Sequence, residues 1–138
     1  MRKNLIDLAR SRLGEPYVLG AKVPKHDPDW HGPWDCAEFA SWLVFQCTGK
    51  LIGVRKGEAY TGFWQDDCRR GIVRVISVAD AAKTPGCFLL RYPNKRVPGH
   101  IALVSGPNTT VEAHSTKRGV CQAKVLGRRW DCGINIKI

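Results

Sequence analysis

The sequence lacks the features that mark several common classes of protein. None of its six cysteines stands in a Cys-x-x-Cys pair, the spacing that many structural zinc sites use. No stretch approaches the roughly 18 consecutive apolar residues that a membrane-spanning helix needs. The chain has neither an internal repeat nor a low-complexity tract. We therefore expect no structural zinc site, no transmembrane segment and no repeat architecture.

The start of the chain also lacks the pattern of a secretory signal peptide. Arg2 and Lys3 supply the positive charge of such a peptide, but Asp7 and Arg10 interrupt the apolar run that should follow. The sequence therefore predicts a chain that is made without an evident signal peptide.

Length and charge limit the remaining classes. A chain of 138 residues can bury one hydrophobic core but not two, so we expect one domain over residues 1–138. The net charge of +10, from 22 Lys and Arg against 12 Asp and Glu, favours association with polyanions. The cations are scattered in short pairs such as Arg69-Arg70 and Arg128-Arg129, without a recognition motif. We therefore expect no nucleic-acid partner.

The segment after Asp35 gives the clearest structural signal. Its apolar residues recur at helical spacing and predict one buried stripe. Asp35 can cap this helix, Glu38 can complete a capping-box-like pair, and Thr48-Gly49 should end it. Cys36 then lies in the first turn of a buried helix. The stripe consists of Cys36, Phe39, Ala40, Leu43, Val44 and Cys47.

The rest of the chain predicts an α+β fold, with N-terminal helices packed on one side of an antiparallel sheet. A helix is expected near residues 3–13, a long ordered loop over 15–34 and further loops to about Gly71. A strand over 72–76 and a helical turn near 77–83 should follow. Alternating apolar residues and turn signals then predict strands over 87–92, 100–105, 110–114, 120–126 and 132–138.

Cys36 and His100 are the candidate nucleophile and base. A thiol attacks a carbonyl as the thiolate, and a helix N-terminus supplies partial positive charge and free N–H groups that lower a thiol pKa, although Glu38 nearby would oppose this. His100 begins an apolar strand, where an imidazole is otherwise out of place. Such a base needs a third group to fix its tautomer; His114 is the first candidate and the Glu112 carboxylate the alternative. The remaining five cysteines leave one disulfide open, with partners that the sequence does not assign.

The spacing of the two histidines makes a geometric test. They would face each other on neighbouring antiparallel strands if the connecting loop had three or five residues or if the hairpin contained a bulge. A simple four-residue loop would instead place His100 and His114 on opposite faces of the sheet.

Five segments, spread over most of the chain, resemble in order and spacing the NlpC-type papain-like cell-wall peptidases. They are Leu13-Gly14-Glu15-Pro16-Tyr17, Asp35-Cys36-Ala37-Glu38-Phe39, Pro85-Gly86-Cys87-Phe88, the run from Gly99 to Gly106, and Glu112-Ala113-His114. The resemblance implies a papain-like α+β fold without metal or cofactor. It also implies Cys36 as nucleophile, His100 as base, His114 as orienting residue, and a Tyr17 hydroxyl near the oxyanion or substrate.

The chain departs from this family at two positions. The usual small Ser-Gly after the nucleophile is Ala37-Glu38, and the usual Asp after Pro-Gly is Cys87. Neither change removes a member of the triad, but both bear on the substrate. The loop from His26 to His31 contains metal-ligating residue types, although a surface loop beside the cleft is the favoured interpretation. Trp30 and Trp34 could line the groove or pack in the interior.

The resemblance implies hydrolysis of peptidoglycan stem peptides, typically between D-glutamate and diaminopimelate, through a thioester. An acyltransferase or transglutaminase-like enzyme would share the thioester, and a non-catalytic wall-binding or polyanion-binding module is the alternative from another class. We expect a monomer that acts at the cell wall or in the periplasm after export or lysis. For such an enzyme, made in the cytosol, we expect an inhibitor or immunity protein as a partner.

Overall fold

The computed structural model describes residues 2–136, with side chains from Asn4 onward. The helices are α1 (Arg2–Arg10), α2 (Cys36–Thr48), α3 (Thr61–Arg69) and α4 (Val78–Ala82). The strands are β1 (Val54–Arg55), β2 (Glu58–Ala59), β3 (Arg74–Ile76), β4 (Phe88–Arg91), β5 (His100–Gly106), β6 (Thr109–Ser115), β7 (Gly119–Lys124) and β8 (Cys132–Asn135). Within this part of the chain, no helix is long and apolar enough to cross a membrane.

Helix α2 begins and ends where the sequence predicts. The Asp35 carboxylate accepts a hydrogen bond from the backbone N–H of Glu38 at 2.8 Å, which caps the first turn. Gly49 adopts a left-handed conformation with φ of 74° and closes the last turn by donating to the Phe45 carbonyl. Cys36 is therefore held in the first turn by defined contacts at both ends of the helix.

The sheet has six strands in the order β3-β8-β4-β5-β6-β7, and every neighbouring pair is antiparallel. One face packs against α1 and α2 through residues such as Phe88 and Leu90. Leu89, which alternates with them on β4, packs with Ala81 of α4 on the other face. The predicted α+β fold is confirmed, but the short helix α4 lies on the opposite side of the sheet from α1 and α2.

The segment before Gly71 is not the loop that the sequence predicts, because it contains the β1–β2 hairpin and α3. The buried face of α3 consists of Thr61, Trp64 and Asp67, so it has no purely apolar periodicity to recognise. Asp67 instead accepts a hydrogen bond from the backbone N–H of Gly53 at 2.7 Å. Polar contacts from the neighbouring turn therefore support a helix that apolar periodicity alone does not predict.

Candidate active site

A cleft of about 200 Å³ lies at the N-terminal end of α2. Its walls include Tyr17, Cys36, His100 and His114, which are the site residues that the sequence predicts. Helix α2, strands β5 and β6 and the loop before α2 supply them. The fold thus brings together residues that lie far apart in the sequence.

Cys36 is buried, with 8% of its surface exposed, and its thiol is not activated in the way its position predicts. Burial raises the pKa of the Cys36 thiol, and the Asp35 charge raises it further, whereas the backbone N–H groups of Ile101 and Ala37 lower it. The sum raises the pKa to about 12. The first turn of α2 supplies favourable N–H groups, but desolvation outweighs them. The resting thiol is therefore protonated at neutral pH.

The Glu38 side chain does not complete a capping box. Its carboxylate forms a buried ion pair with Lys25 Nζ and accepts a hydrogen bond from the backbone N–H of Ala59 at 3.0 Å. Lys25 also donates to the Gly57 carbonyl at 2.8 Å. Because a cation neutralises Glu38, the acidic residue that most affects the Cys36 thiol is Asp35.

His100 is oriented by Glu112. His100 Nε2 lies 2.8 Å from Glu112 Oε1, and both side chains are almost fully buried. An ionised carboxylate can only accept hydrogen bonds, so the ring nitrogen that faces it carries the proton. In neutral His100 the lone pair then lies on Nδ1, which is the ring nitrogen that can accept a proton.

Glu112 is itself fixed by several donors. Arg128 binds both of its oxygens, with Nη1 at 2.9 Å and Nη2 at 2.5 Å, and the Thr110 hydroxyl also donates to it. Burial alone would raise the pKa of Glu112, but the hydrogen bonds from His100 and Arg128 outweigh it and lower the pKa to about 2. The carboxylate beside His100 is therefore ionised at all physiological pH values.

His114 lies beside His100 but bonds elsewhere. Leu103 pairs with Val111, and a bulge lies between Val104 and Gly106, so the same register continued along the hairpin places the two histidines opposite each other. Their ring centroids are 6.1 Å apart, as the bulged alternative predicts. His114 Nε2 instead accepts from Arg118 at 3.3 Å, and Nδ1 faces the Ser115 hydroxyl at 3.1 Å.

The structure thus corrects the geometry predicted for the third residue, because the hydrogen bond of His100 goes to Glu112 and not to His114. Burial lowers the pKa of His114, and the charges of Arg118 and Arg128 lower it further, while Glu112 partly compensates. A neutral His114 is a poorer stabiliser of an imidazolium than the Glu112 carboxylate.

Tyr17 is placed at the cleft by backbone pairing between the loop and the chain just before α2. It forms an isolated parallel bridge with Trp34, and the backbone N–H of Trp34 donates to the Pro16 carbonyl at 3.0 Å. Burial raises the pKa of the Tyr17 phenol, and the nearby Cys36 and Asp35 raise it further. Tyr17 therefore stays a neutral hydrogen-bond donor.

Three side chains near His100 are not predicted from the sequence. Arg91 pairs with His100 across β4 and β5 and lines the cleft. The Trp130 ring lies 6.0 Å from that of His100, and the Arg128 guanidinium lies 4.7 Å from the Trp130 ring. Arg91 could have been noticed as a charged residue at the end of an apolar strand. Arg128 and Trp130 lie in the loop between β7 and β8, where no sequence pattern marks them.

The other residues singled out in the sequence have separate contacts. His31 Nδ1 lies 2.8 Å from Glu15 Oε2, and His26 packs against the Phe45 ring at 4.7 Å. Trp34 is fully buried and packs in the core, and the partly buried Trp30 packs against that core. Cys87 is buried against the α4 side of the sheet. Within residues 2–136 no disulfide is formed.

The same fold occurs in solved structures of NlpC/p60 domains. The chain is similar to the NlpC/p60 domain of the peptidoglycan hydrolase SagA, with a TM-score of 0.73 and 23% identity over 99% of both chains. It is similar to the peptidoglycan hydrolase RipB from Mycobacterium tuberculosis, with a TM-score of 0.70 and 20% identity over 99% of this chain and 65% of that one.

A third similar structure is the P60 domain of antigen MAP1204 from M. avium subspecies paratuberculosis. Its TM-score is 0.68 at 18% identity, over 98% of this chain and 93% of that one. The chain spans less than half of the two NlpC proteins from Trichomonas vaginalis that it also matches. No protein-family model matches the sequence, and no curated protein matches it by sequence. The chain therefore has the papain-like NlpC/p60 fold.

Proposed function

We propose that this chain, which has the NlpC/p60 fold, is a cysteine hydrolase that cleaves amide bonds in peptidoglycan stem peptides. The bond is of the D-glutamyl-diaminopimelate type, and the reaction passes through a thioester. The similar SagA and RipB structures are both named peptidoglycan hydrolases. The observation that carries the proposal is the buried His100–Glu112 pair in the same cleft as Cys36.

The proposed catalytic residues are Cys36 and His100, and Glu112 positions His100. The Nε2–H of His100 donates to Glu112, so Nδ1 is the nitrogen that accepts the thiol proton as Cys36 attacks the carbonyl carbon of the substrate. The carbon–sulfur bond forms, and the carbonyl electrons move to oxygen. The imidazolium then gives its proton to the leaving amine as the carbon–nitrogen bond breaks, and water hydrolyses the thioester with His100 again as base.

Two features of the cleft favour the reaction although the charge of Glu112 itself contributes to the raised pKa of Cys36. The ionised Glu112 stabilises the imidazolium that forms when the thiol proton moves. The N–H groups of the first turn of α2 can donate to the developing oxyanion, and the Tyr17 hydroxyl is the proposed side-chain donor at the same place. His114 is assigned no step in the proton transfer, because its hydrogen bonds go to Arg118 and Ser115.

The proposal is tested with purified peptidoglycan and defined stem peptides, followed by mass spectrometry of the products. Wild type should release new stem-peptide fragments, and Cys36→Ala and His100→Ala should release none. Cys121→Ala is the matched control, because this partly exposed thiol on β7 lies outside the cleft; it should cleave like wild type.

The alternative functions give different products in the same experiment. Transfer of the acyl half to an added primary amine in preference to water would indicate an acyltransferase. Wall binding by folded wild type, with no cleavage of several wall chemotypes, would indicate a binding module and refute the hydrolase proposal. An enzyme with this substrate would act at the cell wall or in the periplasm, which we propose it reaches after export or lysis.

A further inference from the structure

A second hollow adjoins the cleft at His100. It has a volume of about 170 Å³ and is lined by Arg91, His100, His114 and Arg128. Arg91, His100 and His114 also line the cleft, so the two spaces share a wall. None of the four lining residues is acidic, and two of them are permanently charged arginines.

Arg91 has a hydrogen-bond donor that no acceptor in the described part of the chain satisfies. Its Nε atom is buried, and no hydrogen-bond partner for it exists within residues 2–136. A buried donor without an acceptor costs about 1–3 kcal/mol and is rare in native structures. Arg91 pairs with His100 across β4 and β5, and both residues line the hollow, so an anion bound there by the Arg91 guanidinium would lie near the His100 imidazole.

The charge balance also favours an anion. Two carboxylates near the hollow already have partners. Glu112 accepts from His100, Thr110 and Arg128, and Asp131 accepts from the backbone N–H of Tyr92 and pairs with Arg129. Arg118 adds a further cation beside His114. The hollow therefore has more positive charge than these two carboxylates, which are already paired, compensate. A planar carboxylate matches the fork of an arginine.

We propose that this hollow binds a free carboxylate on the amine half of the substrate, with Arg91 as the residue that selects it. This inference rests on the proposed hydrolysis. His100 must reach the leaving amine to protonate it, so the amine half lies against His100. The hollow begins at that same ring, and a carboxylate near the leaving nitrogen would enter it.

Binding is measured first, on the inactive Cys36→Ala protein, because it does not require turnover. Free diaminopimelate, its diamide and inorganic phosphate are titrated while the histidine ring signals are followed by NMR. Diaminopimelate should shift the His114 and His100 signals and the diamide should not. Tighter binding of phosphate than of diaminopimelate, or equal binding of diaminopimelate and its diamide, would overturn the proposal.

Variants of Arg91 assign the selectivity. Arg91→Gln should abolish the diaminopimelate-dependent shifts, and Arg91→Lys should retain part of them because it keeps the charge without the fork. Arg74→Gln is the matched control, because Arg74 is exposed on the edge strand β3; it should bind like wild type. Undiminished binding by correctly folded Arg91→Gln would refute the assignment.

Cleavage separates this inference from the proposed function. The active enzyme should cleave L-alanyl-γ-D-glutamyl-diaminopimelate about tenfold or more faster, in kcat/KM, than the same peptide with both diaminopimelate carboxyls amidated. Arg91→Gln should bring the two rates together. Cleavage of both peptides at equal rates by wild type would refute the subsite and leave the hydrolase intact. Selective binding without any cleavage would support a carboxylate site in the hollow, but it would refute the hydrolase and with it the assignment of that site to an amine half.

Discussion

Replacement of Glu112 by Gln tests the central contact of the site. The change keeps the shape of the side chain but removes the charge that His100 and Arg128 share. A hydrogen bond to a charged group contributes about 1.5–3 kcal/mol, so kcat/KM should fall between about 10-fold and 150-fold. The acidic limb of the pH–rate profile should move to lower pH, because the carboxylate that stabilises the imidazolium is gone.

The same change should destabilise the protein in a pH-dependent way. A fall in the pKa of Glu112 from 4.5 to about 2 corresponds to about 3 kcal/mol of stability. Because the folded-state pKa is the lower one, this stability is fully present above about pH 4.5 and is lost as the pH falls toward 2. Urea unfolding should therefore show a large difference between wild type and Glu112→Gln at pH 7 that shrinks below pH 4.

Three further variants separate orientation of His100 from folding. Glu112→Gln/Arg128→Gln removes the unpaired guanidinium and should recover part of the stability but not the activity. Glu58→Gln changes an exposed carboxylate on β2 and should leave both properties unchanged. His114→Gln should leave the acidic limb of the profile in place. An acidic limb that moves with His114→Gln and stays fixed with Glu112→Gln would refute the assignment of Glu112.

Three other predictions concern the surroundings of the site. Lys25→Met should destabilise the fold by about 3–5 kcal/mol in urea unfolding, because it leaves the buried Glu38 carboxylate unpaired; wild-type stability would contradict this. Alkylation of Cys36 by iodoacetamide should be slower at pH 7 than that of free cysteine and should rise toward pH 12, and a plateau near neutral pH would contradict the raised pKa. Gly99→Ala should lower kcat/KM with little change in KM, because its Cβ would lie 2.4 Å from Thr61 Oγ1 and displace the start of β5; unchanged kinetics would contradict this role for Gly99.

Local patterns in the sequence predict the helix that carries Cys36 and the strand that begins with His100. The apolar stripe and the Asp35 cap define α2 within a few residues, and His100 is conspicuous because it begins an otherwise apolar strand. The bulge that brings His114 opposite His100 is one of the alternatives that residue spacing allows. These features depend on contacts within one element or between neighbouring strands.

Which of Glu112 and His114 bonds to His100 depends on contacts between residues that are distant in the sequence. Both residues are on β6 and lie on the same face of the sheet as His100, so strand periodicity cannot show which of them bonds to His100. His100 bonds to Glu112, its diagonal neighbour, because hydrogen bonds from Arg128 and Thr110 hold the Glu112 carboxylate beside it. The His114 ring instead bonds to Arg118. Arg128 comes from the loop between β7 and β8, and sequence patterns do not show where such a loop lies.

One carboxylate therefore connects the two halves of the site. Glu112 accepts from His100 on one side and from Arg128 on the other, and Arg128 lines the hollow. An anion bound in that hollow would compete with Glu112 for the Arg128 guanidinium. Weaker pairing with Arg128 would leave more of the Glu112 charge to stabilise the imidazolium of His100. Occupation of the hollow by a substrate carboxylate would then strengthen the base at the moment when the thiol proton, held firmly in the resting site, has to move.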